Sequence, residues 1–110
     1  MEALADLRDG LRTYEPDLVR ALDEDFGGRS ADETRMLELF PLLDQIADAR
    51  GSLRGWMRRR RVRSTWFLWP SRAFYQYQPL GVVGAIGAWN SQLLLTLGPL
   101  VDALSAGNHV

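Results

Sequence analysis

The spacing of apolar residues predicts that the first half of the chain is helical. Leu4, Leu7 and Leu11 recur at helical spacing, with charged residues between them, and predict an amphipathic first helix. A second helix is predicted from about Pro16, where the missing N–H of proline has no cost, to the glycine pair that begins at Gly27. We therefore expect the N-terminal part to pack as a group of helices.

A third and longer helix is predicted to begin after Ser30. Ser30 and Glu33 have the spacing of a capping box, in which a hydroxyl and a carboxylate satisfy the first free N–H groups of a helix. An apolar face continues from there to about Met57, and Pro41 is expected to kink the helix. The helix is predicted to fade near Arg58.

After residue 62 the pattern favours extended structure and then a buried sheet. Residues 74–77 alternate aromatic and polar side chains, which is typical of a strand. Residues 81–86 (GVVGAI) form an apolar run that suits a strand buried on both faces of a parallel sheet. An apolar helix is predicted over residues 93–104, and a new strand at residues 109–110. The fold class is therefore α/β, with the start of a Rossmann-like parallel sheet in an incomplete β-α-β unit.

These patterns divide the chain into three segments. Residues 1–61 form an N-terminal helical segment and residues 62–79 an extended segment. Residues 80–110 are the beginning of a sheet-containing domain.

Composition excludes several kinds of site within the chain. The net charge of -1 gives no general attraction to nucleic acid or anionic lipid. Cysteine and lysine are both absent, which excludes a thiolate nucleophile and a Schiff-base lysine. His109 is the one histidine, and we expect no metal site. Because no charged-then-apolar leader begins the chain, a cytoplasmic location without membrane attachment is expected.

Two surface features suggest a different class of function. The arginine run at residues 58–61, with Arg63, is either a phosphate or nucleic-acid site or the solvated or ion-paired end of a helix, and the second interpretation is favoured. We expect no nucleic-acid partner. Residues 66–69 (WFLW) form an apolar cluster that suggests a missing partner surface. A non-catalytic helical interaction module, or a truncated pseudogene product, is the alternative to an enzyme.

The turn at residues 87–90 follows the predicted buried strand, at the edge of the sheet where α/β proteins bind ligands. The glycines at 81, 84 and 87 do not have the dinucleotide-binding spacing, so a packing role is favoured for them. Asn90 has two interpretations. Its side chain can cap the next helix, or its amide can donate to an oxyanion that forms on a substrate. The pattern alone favours the cap.

The run PLGVVGAIGAWN at residues 79–90, with the following apolar helix and GPLVDALSAGNHV, resembles the aldehyde dehydrogenase superfamily. EDFGGRS, ETRMLELFPLLDQI and the stretch from WMRRRRVRS to PSRAFYQYQPLG extend the resemblance over essentially the whole chain. It is closest to the shorter-chain branch, and to coniferyl aldehyde dehydrogenases in particular.

The resemblance implies a reaction in which a cysteine thiolate attacks an aromatic, coniferyl-type aldehyde. Hydride passes to NAD or NADP, and water then hydrolyses the thioester to a carboxylic acid. Asn90 corresponds to the oxyanion-stabilising asparagine of the family. Ile86, Gly87, Ala88 and Trp89 correspond to the loop that lines the cofactor cleft.

The resemblance also implies that residues 74–77 belong to an oligomerisation arm, so a homodimer is expected. The chain departs from the family pattern at Ala88, where a proline is usual, and at Ser91 and Gln92, where an aromatic residue and a proline are usual. The nucleophilic cysteine and the general-base glutamate of the family lie further downstream. The 110-residue segment alone is therefore expected to be inactive.

Overall fold

Two short helices begin the computed structural model, which describes residues 1–110. Helix α1 spans Glu2–Thr13 and helix α2 spans Glu15–Phe26, as the apolar spacing predicts. Pro16 lies in the first turn of α2, where its missing N–H is tolerated. Gly27 ends the helix with a φ of 67°, a left-handed conformation that glycine adopts without steric cost.

The third helical stretch is continuous but changes its winding. It consists of α3 (Ala31–Thr34), a π-helical turn (Arg35–Leu39) and α4 (Phe40–Trp56). Pro41 has no N–H for the usual helical hydrogen bond, and the wider turn lies directly before it. Ser30 occupies the N-cap position as predicted, but its side chain makes no cap hydrogen bond, so the capping box does not form.

One apolar core holds the helices together. Leu42 and Ile46 of α4 are fully buried, α1 packs against α4, and α2 packs against α3 and α1. The last helix, α5, spans Gln92–Ser105 and joins this core through Val101. The buried apolar cluster consists of Leu4, Leu11, Val19, Leu39, Leu42, Ile46, Ala49 and Val101. None of the helices is long and apolar enough to cross a bilayer.

A small antiparallel hairpin follows α4. Strand β1 (Arg60–Val62) pairs with strand β2 (Ala73–Tyr75), and every residue of both strands is exposed. The interpretation of the arginine run as a helix end is wrong, because α4 stops at Trp56 and Arg60 and Arg61 lie in β1, where they are exposed. The arginines of this run form no ion pair with acidic residues; Arg59 instead donates to Gln76 Oε1 at 3.2 Å.

The prediction of a buried strand over residues 81–86 is wrong for this chain. Only Val82 forms a ladder bridge, a parallel one to His109, and Val82 and Ile86 are 82% and 99% exposed. Two hydrogen bonds carry the contact: Val83 N–H donates to the His109 carbonyl at 2.9 Å, and His109 N–H donates to the Gly81 carbonyl at 2.8 Å. A strand gains hydrogen bonds and cover only from its neighbours, and here one short neighbour is present. The wider parallel sheet stays a prediction.

Candidate functional site

The turn at residues 87–90 leads directly into α5 and faces solvent. Trp89 is 84% exposed, and Asn90 is also exposed. The side chain of Asn90 takes part in none of the hydrogen bonds of the chain. Its carboxamide is therefore free to bind a group from outside the segment.

Helix α5 is capped from a distance by Glu38. The Glu38 side chain is fully buried in the π-helical turn, and its Oε2 accepts hydrogen bonds from the backbone N–H groups of Leu93 at 2.8 Å and Leu94 at 3.3 Å. These are the N–H groups that an N-cap side chain normally satisfies. The residue in the N-cap position, Ser91, makes no such bond.

Arg29 holds the other oxygen of the Glu38 carboxylate. Arg29 Nη1 lies 2.6 Å from Glu38 Oε1, and its Nε lies 3.4 Å from Glu33 Oε1. The Arg29 guanidinium is also stacked over the Phe26 ring, 4.8 Å from the ring centroid. The Arg29 and Glu38 side chains are both buried, so they form an ion pair that is shielded from water. Removal of either partner would leave an uncompensated buried charge.

The cap interpretation of Asn90 is therefore wrong, because Ser91 is the N-cap residue and the N–H groups of Leu93 and Leu94 bond to Glu38. Glu38 was not predicted as a site residue. The sequence carries one signal for it, since this acidic residue falls between Leu37 and Leu39 on a helix that buries one face. Its partners lie 55 and 56 residues away along the chain, and no local pattern connects them.

The three glycines of the turn region have different roles. A Cβ at Gly87 would lie 2.0 Å from Thr96 Oγ1 and 3.2 Å from the Thr96 backbone N, so only glycine lets the turn approach α5. Gly81 has a φ of 118°, which side chains rarely tolerate. A Cβ at Gly84 would meet nothing within 4 Å. The predicted packing role is confirmed at Gly87.

Asn108 ties the start of the turn region to the end of α5. Its buried Oδ1 accepts from the N–H groups of Leu80 at 2.6 Å and Gly81 at 2.9 Å. Its Nδ2 donates to the Ala103 carbonyl at 3.3 Å. Residues 80–90 are thus anchored at both ends, by Asn108 at one and by the Glu38 cap of α5 at the other. Asn108 was not predicted as a site residue, although it lies in the GPLVDALSAGNHV stretch that carries part of the family resemblance.

The residues predicted to face a cofactor are mostly exposed. Ile86 and Trp89 present apolar surface to solvent beside the N-terminus of α5, and Gly87 removes a side chain between them.

Fold and site together describe a helical segment with a small hairpin that presents a free carboxamide at the turn before its last helix. The chain belongs to the aldehyde dehydrogenase family, whose model, described as "Aldehyde dehydrogenase family", matches residues 1–110. The resemblance seen in the sequence is thereby confirmed.

Individual relatives agree with this assignment. A probable coniferyl aldehyde dehydrogenase of Pseudomonas aeruginosa is 45% identical over 94% of this chain and 22% of its own length. A coniferyl aldehyde dehydrogenase of a Pseudomonas species is 34% identical over 84% of this chain and 19% of its own length. The structure of the substrate-bound state of Staphylococcus aureus AldH matches 97% of this chain and 23% of that protein with a TM-score of 0.92 at 30% identity. The chain spans about a fifth of the length of the relatives that it matches.

Proposed function

We propose that this chain forms the N-terminal part of an NAD- or NADP-dependent aldehyde dehydrogenase that oxidises an aromatic, coniferyl-type aldehyde to its carboxylic acid. The free carboxamide of Asn90 carries the proposal, because a buried residue of another helix caps α5 and leaves that carboxamide unused. The names of the Pseudomonas relatives support the substrate class.

In this mechanism Asn90 stabilises the oxyanion. When a cysteine thiolate adds to the aldehyde carbonyl, negative charge develops on the carbonyl oxygen. A preorganised side-chain N–H that donates to this oxygen lowers the barrier more than a donor that must first reorient. The segment contributes that donor, and the cysteine and the general-base glutamate come from the part of the enzyme that follows it. The segment alone is therefore inactive.

Residues 86–89 contact the cofactor in the proposed enzyme. Bound NAD or NADP supplies the acceptor for the hydride of the aldehyde. Ile86 and Trp89 provide apolar contact, Ala88 leaves space beside them, and Gly87 lets the backbone of the turn lie close to α5. These residues bind and orient the cofactor and exclude water from one side of the cleft.

The exposed hairpin is the proposed arm of a homodimer in the cytoplasm. Both of its strands are exposed, and Tyr75 and Tyr77 stack edge to face 5.7 Å apart on one side of it. An unpaired strand edge with aromatic side chains suits pairing with another chain. In the same proposal, residues 80–110 begin the cofactor-binding domain, after the helical residues 1–61 and the arm at 62–79.

Replacement of Asn90 by alanine tests the proposal. In the full-length gene product, Asn90→Ala should lower kcat for an aromatic aldehyde about 10²- to 10³-fold, the usual loss when one oxyanion donor is removed. Formation of the reduced cofactor is followed by absorbance. Ser91→Ala is the matched control, because Ser91 is the neighbouring polar residue and makes no cap hydrogen bond.

The control variant should keep kcat within a few-fold of the parent enzyme. If Asn90→Ala also keeps its kcat within a few-fold, Asn90 does not stabilise the oxyanion and the proposed role is wrong. Circular dichroism of both variants separates a loss of folding from a loss of chemistry.

A further inference from the structure

Glu38 occupies the position from which the orientation of Asn90 is controlled. Its carboxylate takes the Leu93 and Leu94 N–H groups, which lie three and four residues after Asn90. Asparagine and serine side chains are among the best acceptors for such N–H groups. Without Glu38, the local side chains with the right spacing to accept from the Leu93 N–H are those of Ser91, the N-cap residue, and of Asn90, three residues before Leu93.

We propose that Glu38, held by Arg29, is a positioning residue for the oxyanion donor. By satisfying the N-terminus of α5 from another helix, it keeps the carboxamide of Asn90 from turning back to cap the helix. The Asn90 N–H groups then stay directed outward, toward the substrate. This inference rests on the proposed function, because it gives Asn90 the oxyanion role.

The two oxygens of the Glu38 carboxylate have different partners. Oε2 accepts both N–H groups of α5, and Oε1 faces Arg29 Nη1 at 2.6 Å. The Arg29 guanidinium is itself stacked over the Phe26 ring, so the carboxylate has little freedom to rotate. The negative charge also lies at the positive end of the α5 dipole, which favours this arrangement.

Glu38 lies in the π-helical turn, where it and the next residue contact different parts of the structure. Glu38 and Leu39 are both buried within this turn, although they are neighbours along the chain. Leu39 joins the apolar core, whereas Glu38 contacts the N-terminus of α5. A widened turn of this kind recurs at functional sites in other proteins.

A double-mutant cycle in the full-length gene product tests the proposal. Glu38→Ala should lower kcat about 10²-fold or more, as Asn90→Ala does, with a much smaller change in the KM for the aldehyde. Because Glu38 acts through Asn90, the double variant Glu38→Ala/Asn90→Ala should have the kcat of Asn90→Ala alone. A purely structural role of Glu38 would instead make the two losses multiply, and that outcome would overturn the proposal.

Glu33→Ala is the matched control. Glu33 also contacts Arg29 and lies on the same helical stretch, but its contacts do not include α5. It should keep kcat within a few-fold of the parent enzyme. A loss equal to that of Glu38→Ala would show that any disturbance of Arg29 lowers the activity, and would overturn the specific role of Glu38.

Glu38→Gln keeps the proposal testable if Glu38→Ala does not fold. Its amide oxygen can still accept both N–H groups, and Arg29→Gln is combined with it so that the new amide NH2 faces a carbonyl oxygen and not the buried guanidinium. The kcat of this double variant should stay within about tenfold of the parent enzyme, since the N–H groups of α5 keep an acceptor. A folded Arg29→Gln/Glu38→Gln enzyme with a kcat as low as that of Asn90→Ala would overturn the proposal. Full activity of Asn90→Ala would instead refute the proposed function itself, so the two failures are distinguishable.

Discussion

At the scale of single residues, Gly87 sets how closely the turn approaches α5. A Cβ at this position would lie 2.0 Å from Thr96 Oγ1, 3.1 Å from Thr96 Cβ and 3.2 Å from the Thr96 backbone N. The contact with the hydroxyl is far too short, and the other two contacts are tight. The turn must therefore shift outward by a few tenths of an ångström when Gly87 carries a side chain.

Gly87→Ala is predicted to lower the activity of the full-length gene product, because the shift moves Asn90 with the turn. A misplacement of up to 1 Å can cost about 10²-fold in rate, so a loss of about tenfold in kcat is expected here. Adding Thr96→Ala removes the closest contact and should restore part of the loss. Thr96→Ala alone is the control and should be nearly neutral, since Thr96 is exposed.

The steady-state rates of the four enzymes give the coupling between the two positions. If Thr96→Ala leaves the Gly87→Ala defect unchanged, contact with the Thr96 hydroxyl is not the reason for glycine at position 87.

The site was partly predictable at this scale. The turn and Asn90 follow from the apolar run, the glycines and the family pattern, which are local in sequence. Glu38 and Asn108 were missed because their partners come from distant segments: Glu38 caps a helix 55 residues away, and Asn108 binds the N–H of Leu80. Long-range polar contacts produce no periodic pattern in the sequence, whereas the apolar faces of helices do.

At the scale of elements, the helices were the most predictable part of the fold. Each has an apolar face at helical spacing, and local start and stop signals such as Pro16 and Gly27 lie at their ends. The strand predicted at residues 81–86 did not form beyond Val82, because strand formation depends on neighbours that are not encoded locally. The start of α5 was predicted correctly, but its capping group was not.

We predict that Ile46 of α4 contributes strongly to the stability of the helical core. This side chain is fully buried, and the core cluster around it includes Leu4, Leu42 and Val101. Ile46→Ala should lower the free energy of unfolding of the 110-residue polypeptide by about 2–5 kcal/mol, from lost apolar burial and the cavity that remains. Urea unfolding followed by far-UV circular dichroism measures the change.

Met36→Ala provides the comparison for this experiment. Met36 lies in the π-helical turn but is largely exposed, so its truncation should change the free energy of unfolding by about 0.5 kcal/mol or less. Equal effects of the two substitutions would mean that the face of α4 containing Ile46 is not the core.

At the scale of the whole molecule, the chain is elongated and leaves much apolar surface uncovered. Its radius of gyration is 18.7 Å, and its extents are 66 × 23 × 22 Å. A compact domain of this length would have a radius of gyration of about 13 Å. The uncovered apolar side chains lie in the hairpin region and around the turn; they include Trp66, Phe67, Trp69, Leu80, Val82, Ile86 and Trp89. Surfaces of this kind are normally covered by other parts of a protein.

The remainder of an aldehyde dehydrogenase is predicted to cover this surface and to complete the enzyme. The 110-residue polypeptide alone should bind the dye ANS and show no formation of reduced cofactor with NAD or NADP and an aromatic aldehyde.

Mixing the polypeptide with the complementary C-terminal part of the Pseudomonas aeruginosa relative should lower ANS fluorescence and produce activity. That relative is 45% identical to this chain over the shared part. The same C-terminal part without this polypeptide is the control, because it lacks the counterpart of Asn90. The polypeptide with Asn90→Ala should lower ANS fluorescence equally but give at most a few per cent of the activity, since cover depends on the apolar surface and chemistry on the carboxamide. Turnover by the 110-residue polypeptide alone would contradict its dependence on a downstream cysteine, and a monodisperse monomer that binds no ANS would contradict the uncovered surface.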